Sequence, residues 1–182
     1  GEAGFKDNLP SKYNITSVEP LGSKVKNPSV LKVDFLKWKT KDKFDFICFW
    51  ESLEHTPDPI KYLEKAYKLL NKGGHIFIEF PRFNSFESKL FGKYWFHRDL
   101  PRHLVHLTDK GIGKLLENTN YKKIKVKNVL SLEYSPWGFV ASLLNVFRLN
   151  ITDSIKKSSF PFIIILLTPV IIISTIIEII LF

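Results

Sequence analysis

Two apolar runs separated by an amphipathic segment form the clearest hydrophobic pattern in the chain. Residues 44–50 are apolar except for Asp45, which is typical of a strand buried on both faces of a parallel sheet. Apolar residues then recur at spacings of three and four over 60–70, which predicts a helix that ends at the Gly-containing stretch 71–74. A second apolar run, 75–80, follows. The order strand, helix, strand predicts a right-handed βαβ unit, with ligand-binding residues at the carboxyl ends of its strands.

Shorter patterns on either side extend this α/β reading. The stretches 13–20 and 30–34 are rich in β-formers and carry acidic residues, Glu19 and Asp34, at or near their ends. A further helix is predicted from Thr108 to Asn118. Lysines alternate with Ile and Val over 122–130, which predicts an edge strand with one face in water. Residues 137–149 form an amphipathic helix that either packs on the domain or lies at a membrane interface.

Composition supports a folded, intracellular domain. With 45% hydrophobic and 14% aromatic residues, the chain can build a core. Its one cysteine, Cys48, lies in the predicted buried strand, so no disulfide forms within the chain. This fits a reducing compartment and a cytoplasmic location. The chain contains no methionine, so we expect it to be a fragment or a processed product.

The net charge of +9 is unevenly distributed, because Glu178 is the sole charged residue of the apolar tail 160–182. A basic body joined to an apolar tail favours contact with an anionic membrane surface, and a lysine-rich solvated surface explains the charge equally well. The lysines scatter rather than form one stripe, which argues against nucleic acid as a partner. No oligomeric state is predicted.

The tail itself is a candidate transmembrane helix. Residues 160–177 carry no charge, and their length lies at the lower end of the ~17–25 residues that span a bilayer. Pro161 and Pro169 argue against one straight helix. Lys156 and Lys157 precede the run and favour a cytoplasmic side there.

The loop after the first apolar run offers acid–base chemistry. Glu54 and His55 are its acid and its imidazole, and an imidazole with an ordinary pKa of ~6.5 can take a proton at neutral pH. The alternative is that His55 only holds the loop by hydrogen bonding. Asp58 and Pro59 suit an N-cap and a first helical residue, so a structural role is expected for Asp58.

Residues 82–107, here called the lid segment, are aromatic and basic and too long for a plain connection. Long loops of this kind often cover a site. His103 and His106 raise the question of a metal. They lack partner carboxylates or thiols at ligand spacing in this segment, so no metal is expected.

A series of short motifs, in order along the chain, resembles those of a class I S-adenosylmethionine-dependent methyltransferase over roughly residues 1–130. The central ones are Phe-Asp-x-Ile at 44–47, Trp50, Leu-Glu-His at 53–55, Asp-Pro at 58–59 and Leu-Leu-Asn-Lys-Gly-Gly at 69–74. Those typical of one bacterial branch are Phe-Gly-Lys-Tyr-Trp-Phe-His at 91–97 and Pro-Arg-His-Leu-x-His at 101–106.

The resemblance implies a partial Rossmann-like methyltransferase sheet over 1–135, incomplete at its N-terminus, with amphipathic and hydrophobic helices over 136–182. The family's first strand would precede residue 1, and no last strand is visible before Phe182. The family pattern also implies roles for individual residues. Those expected to hold S-adenosylmethionine are Gly1 and Ala3 at the methionine part, Glu19 at the ribose, Asp34 at adenine and Trp50 beside the sulfonium.

For the reaction, the resemblance implies methyl transfer to a small-molecule, lipid-linked or glycan acceptor. His55 is the candidate catalytic base, and Arg102, His103 and His106 of the lid segment are expected to face the acceptor. Two other functions stay open from the residues alone. One is a membrane-associated interaction protein that keeps the fold without activity, and the other is a nucleotide-binding oxidoreductase, although the loop at 51–59 does not suggest a nicotinamide pocket.

Overall fold

The computed structural model describes residues 10–127, 135–148 and 169. Gly1, Ala3 and the apolar tail, apart from Pro169, lie outside them, so the predictions made for these segments stay predictions. The chain divides into two compact units. The first comprises Gly1–Ile47 and Ile60–Ile76, and the second comprises Cys48–Pro59 and Phe77–Phe182.

The first unit begins with a parallel pair of strands, β1 (Ser17–Glu19) and β2 (Val30–Lys32). In this pair Ser17 lies opposite Val30, and Glu19 lies opposite Lys32. The Val33 N–H donates to the Glu19 carbonyl at 2.8 Å, so pairing continues to the ends of both strands. Both acidic residues singled out from the sequence therefore follow parallel strands at the same edge, as predicted.

The predicted strand–helix–strand unit is present. Strand β3 is Phe44–Trp50, helix α1 is Pro59–Leu69, and strand β4 is Leu70–Glu79. The prediction that β3 is buried on both faces is wrong: Phe49 is buried, but Phe46, Cys48 and Trp50 on the other face are exposed, because no described element covers that face. Leu63, Ala66 and Leu69 are buried on one face of α1, which confirms the predicted periodicity. The proline at position 59 is the first helical residue, as expected from its fixed φ and missing N–H.

Strand β4 starts earlier than predicted, directly after α1 rather than at His75. Gly73 has φ +83°, a backbone conformation that favours glycine, so the predicted turn is absorbed into the strand instead of preceding it. Two contacts between β3 and β4 show their relative direction, because later residues of one strand meet later residues of the other. The Phe46 ring stacks on His75 at 5.8 Å, and the Glu51 N–H donates to the Glu79 carbonyl at 3.0 Å. The two strands therefore run parallel.

The predicted single Rossmann-like sheet is reproduced only in part. Within the described residues the strands form two separate two-stranded sheets, β1–β2 and β3–β4. The physical reason is that no strand of the described residues supplies hydrogen bonds that join one pair to the other.

The second unit carries the remaining helices. They are α2 (Phe86–Phe91), α3 (Asp109–Asn118), α4 (Ser135–Val146) and the 3₁₀ turns Leu53–His55, Gly92–Tyr94 and Phe96–Arg98. Side chains cap two of these helices. Ser85 accepts the Ser88 N–H at 3.1 Å, and Thr108 accepts the Gly111 N–H at 3.0 Å, which satisfies donors that a helix N-terminus leaves unpaired.

Helix α4 packs on the lid segment, which supports packing on the domain, one of the two settings left open for this helix. Val140 and Ser142 are fully buried, and the Phe139 ring meets Phe91 edge-on at 5.0 Å. The Ser142 hydroxyl accepts the Phe96 N–H at 2.9 Å and donates to the Gly138 carbonyl at 2.7 Å. The lid segment is thus folded structure fastened to a helix.

The predicted edge strand at 122–130 is wrong over 122–127, where the backbone forms no strand; 128–130 lie outside the described residues. Alternation of Lys with Ile and Val needs a neighbouring strand to pair with, and none of the described strands pairs there. Among the helices of the described residues, none combines the length and apolarity needed to cross a membrane.

Candidate functional site

Glu19 and Asp34, the two acidic residues predicted to bind the cofactor, have different surroundings in the first unit. Glu19 is half-buried at the end of β1. Asp34 shapes the turn after β2, because its carboxylate accepts the Leu36 N–H at 2.8 Å and its carbonyl accepts the N–H groups of Lys37 and Trp38. Burial raises the pKa of the Tyr62 phenol, and the charge of Asp34 and a hydrogen bond to it raise that pKa further. Asp34 is therefore already engaged within the fold.

The second unit places a bend directly after β3. Trp50 ends the strand with its side chain 53% exposed, and Glu51 has φ +40°, a conformation uncommon outside glycine. The 3₁₀ turn Leu53–His55 follows, and its Leu53 is fully buried. The Glu54 carbonyl accepts the N–H groups of Leu104 at 2.8 Å and Val105 at 3.1 Å. These two bonds fasten the lid segment to the turn.

The Glu54 side chain is buried without hydrogen-bond partners within the described ranges. It is 2% exposed, and neither carboxylate oxygen has a hydrogen-bond partner among the described residues. Burial raises the pKa of Glu54 to about 7, with smaller contributions from the neighbouring charges of Glu51 and Glu79. His55 and the backbone act in the opposite direction. A buried carboxylate without partners costs free energy unless it is protonated or gains a cation.

Two further carboxylates lie beside it. Burial raises the pKa of Glu51 and of Glu79, and the charge of Glu51 raises that of Glu79 further. One oxygen of Glu79 is also buried without a hydrogen-bond partner in the described part of the chain. This end of the β3–β4 pair therefore brings three carboxyl groups together, and burial favours the protonated form of each.

His55 anchors the loop through one ring nitrogen, Nδ1, and leaves the other, Nε2, available to accept a proton. Its Nδ1 lies 3.0 Å from the Arg102 carbonyl, which can only accept, so Nδ1 carries the hydrogen. The neutral ring then has its lone pair on Nε2. The two roles considered from the sequence, loop anchor and base, are thus compatible.

His103 repeats this arrangement from the lid segment. It is 6% exposed, and its Nδ1 lies 2.7 Å from the His97 carbonyl, so Nε2 again carries the lone pair. Burial lowers the pKa of His103, which favours the neutral ring. The rings of His55 and His103 meet edge-on with centroids 4.7 Å apart.

Together, Glu54, His55 and His103 each offer one ligand atom, and these atoms lie within 4.8 Å of one another. Sequence reasoning missed this group because it sought a carboxylate near His103 and His106 along the chain. The carboxylate comes from the turn after β3 instead. The adjacency of Glu54 and His55 was the available signal, and the third member could not be assigned without the fold.

The other two predicted lid residues have different surroundings. Arg102 is 72% exposed and forms an ion pair with Asp99 at 2.8 Å. His106 donates from Nε2 to the Arg98 carbonyl at 2.9 Å, and its ring lies 4.7 Å from that of Phe83. Of the three predicted acceptor-facing residues, the structure brings His103 to His55 and engages His106 in lid packing.

Comparison with known proteins supplies the family. A model of the methyltransferase domain matches residues 5–126, more than half of the chain. The chain belongs to the methyltransferase domain family. The resemblance to class I S-adenosylmethionine-dependent methyltransferases is therefore confirmed. That family has a Rossmann-like α/β fold and uses S-adenosylmethionine as methyl donor. The match gives no support to an oxidoreductase or an inactive interaction protein.

Curated relatives are consistent with this assignment. The chain is 26% identical over 104 residues to the ubiquinone biosynthesis O-methyltransferase of Proteus mirabilis (strain HI4320), covering 52% of this chain and 40% of the relative. It is 26% identical over 140 residues to the protein of the same name from Xanthomonas oryzae pv. oryzae (strain PXO99A), covering 74% and 51% respectively. The chain thus spans about half the length of the curated relatives it matches. No solved structure matches.

Proposed function

We propose that this protein transfers the methyl group of S-adenosylmethionine to a hydroxyl oxygen of a small-molecule or lipid-linked acceptor. The observation that carries the proposal is the family match over residues 5–126, which includes Glu19, Asp34 and the loop of Glu54 and His55. Oxygen is favoured as the accepting atom because the relatives are named O-methyltransferases.

The residues of the first unit fit the cofactor's polar parts. Glu19 ends a parallel strand, where open α/β sheets bind nucleotides, and a carboxylate accepts two hydroxyl donors as charge-assisted hydrogen bonds. We assign it to the ribose. Asp34 is assigned to the adenine amino group, since a carboxylate offers about four acceptor positions and the turn uses only some of them. Gly1 and Ala3 remain proposed neighbours of the methionine part, and Trp50 of the sulfonium.

Little acid–base work is needed for the methyl transfer itself. Bound S-adenosylmethionine supplies a methyl group on a sulfonium, which is already a good electrophile. The protein has to hold the acceptor oxygen in line with that methyl group and exclude water, so positioning provides most of the rate. An exposed tryptophan at the end of β3 and the folded lid segment are suited to this role.

The acceptor hydroxyl must also lose its proton. The lone pair on His55 Nε2 is available for this, because Nδ1 is committed to the Arg102 carbonyl. His55 Nε2 takes this proton as the acceptor oxygen bonds to the methyl carbon, and the carbon–sulfur bond breaks to leave S-adenosylhomocysteine. The guanidinium of Arg102, with its side chain mostly exposed beside Asp99, is placed to attract a polar or anionic acceptor.

Calorimetric titration of the full-length protein with S-adenosylhomocysteine, the demethylated cofactor, tests this function. Glu19→Ala should weaken binding by about 2–4 kcal/mol, since paired charge-assisted hydrogen bonds are lost. Glu117→Ala, an exposed acid on α3, is the matched control and should bind as the wild type does. Equal affinity of wild type and Glu19→Ala would remove Glu19 from the site, and no binding by wild type would reject the function.

We further propose that the protein works at an anionic membrane surface, which favours a lipid-linked acceptor. The basic net charge and the charge-free run 160–177 support this. The end of α4 adds exposed apolar surface at Val146 and Phe147. Flotation with anionic vesicles should carry the wild type and not a variant lacking 160–182; a wild type that stays at the bottom of the gradient contradicts the proposal.

A further inference from the structure

We propose that Glu54, His55 and His103 form a binding site for a divalent transition-metal ion, with Zn²⁺ the ion best suited to it. The site joins the turn after β3 to the lid segment. One possible ligand atom of each residue lies within 4.8 Å of those of the other two. We assign the ligands as one carboxylate oxygen of Glu54 and the Nε2 atoms of the two histidines, because both Nδ1 atoms are bonded to backbone carbonyls.

The carboxylate provides the first argument. Glu54 is buried, and both of its oxygens lack hydrogen-bond partners within the described residues. Buried charged groups in proteins are normally paired or bound to metals, since leaving them bare costs several kcal/mol. A cation between Glu54 and the two imidazoles would neutralise this carboxylate. It would also relieve the neighbouring carboxylates of Glu51 and Glu79, whose charges act on Glu54.

The histidine hydrogen bonds provide the second argument. Metal-binding histidines usually donate their second ring N–H to a carbonyl or carboxylate, which fixes the ring and leaves the other nitrogen for the ion. His55 donates to the Arg102 carbonyl at 3.0 Å, and His103 donates to the His97 carbonyl at 2.7 Å. Both rings are thus held in the tautomer that a metal requires at Nε2.

The ligand set also selects the ion. Two imidazole nitrogens with one carboxylate oxygen suit Zn²⁺, whereas Mg²⁺ and Ca²⁺ prefer oxygen ligands alone. Bonds of about 2.0–2.2 Å in a tetrahedron place ligand atoms about 3.3–3.6 Å apart, so the three side chains must close by roughly 1 Å. His55 lies on an exposed turn and can make such an adjustment. Three protein ligands leave the fourth position open for water or a substrate oxygen.

The use of this site in catalysis rests on the proposed function, but the binding of metal does not. An open position on Zn²⁺ lowers the pKa of a bound hydroxyl, so the ion would acidify the acceptor oxygen directly, and the released proton would pass to solvent water. In that state His55 acts as a ligand rather than as a free base. Because His103 belongs to the lid segment, the ion would also stabilise the lid in contact with the turn.

Titration of the metal-free protein with Zn²⁺, followed by calorimetry, tests the proposal without cofactor or acceptor. We expect one equivalent to bind, and we expect affinity to fall by tenfold or more in Glu54→Gln, in His55→Ala and in His103→Ala. His106→Ala is the matched control, because this histidine belongs to the same lid segment and its Nε2 is bonded to the Arg98 carbonyl. It should retain wild-type affinity.

Co²⁺ substitution and thermal denaturation distinguish a variant that has lost a metal ligand from one that has unfolded. Wild type loaded with Co²⁺ should show the strong visible absorption of a tetrahedral site, and Zn²⁺ should raise its Tm. The Glu54→Gln protein should stay folded by circular dichroism yet show neither effect. Absence of one-equivalent binding by wild type, undiminished binding by folded Glu54→Gln, or an equal loss in His106→Ala would each overturn the site.

Discussion

Acid should weaken the lid segment through His97. Its ring lies between the aromatic rings of Trp95 and Phe96, with centroids 5.6 and 5.2 Å away, and its Nε2 lies against the backbone of α4 at Gly138. Burial lowers the pKa of His97 to about 4, and the nearby His103 contributes in the same direction. In the unfolded chain the pKa returns to about 6.5.

The sign and size of the effect follow from these values. Because the folded pKa is depressed, His97 contributes stability that is complete above pH 6.5 and is lost as the pH falls towards 4. The free energy changes by about 1.4 kcal/mol for each unit of pKa difference, so the loss has an upper limit of about 3 kcal/mol. The ring is only partly buried, so we expect about 2–3 kcal/mol.

Urea denaturation at several pH values between 7.5 and 4.5 measures this loss. His97→Gln replaces the ring with a neutral side chain, so its free energy of unfolding should fall less on acidification than that of the wild type, by about 2–3 kcal/mol. His75→Gln, which alters an exposed ring in β4, should follow the wild type. Parallel pH profiles for wild type and His97→Gln would refute the assigned burial of His97.

Two further changes probe how α4 holds the lid. Gly138→Ala should destabilise the protein by about 1–3 kcal/mol, because the new Cβ would lie 2.5 Å from His97 Nε2. Gly113→Ala is the control, because a Cβ at this position of α3 meets open space. It should be neutral or should stabilise the protein by up to about 1 kcal/mol. Equal melting temperatures for the two variants would contradict the close packing of His97 on Gly138. Ser142→Ala should cost about 1–3 kcal/mol by chemical denaturation, since it leaves the Phe96 N–H without its acceptor, and a cost below about 0.5 kcal/mol would count against that bond.

Patterns local in sequence predicted the central elements well. The apolar run at 44–50 became β3, although only one face of that strand carries a buried side chain and not both as predicted. The three-four spacing after Pro59 became α1, because burial of one helix face leaves a direct trace in hydrophobic periodicity. The family could be recognised for a related reason. Its motifs lie at the ends of particular strands. Because the strands follow one another in a fixed order, the motifs do too.

Patterns that depend on a neighbour were less informative. Alternation over 122–127 looked like an edge strand, yet a strand exists only when another strand pairs with it, and no described strand does. The helix at 135–146 could be recognised from its apolar stripe. Its partner could not, because the same stripe suits a membrane interface or the aromatic residues of the lid segment.

The sequence by itself determined that the chain is a methyltransferase-type α/β domain and that Glu54 and His55 stand at the mouth of a strand. The tertiary structure alone decided that His103, nearly fifty residues later, meets them. It also decided that the Glu54 carboxylate is buried without a partner among the described residues. The physical reason is that periodicity records which face of an element is buried. Which side chains then converge depends on how the lid backbone is hydrogen-bonded to the turn at Glu54, a contact between residues far apart in the chain.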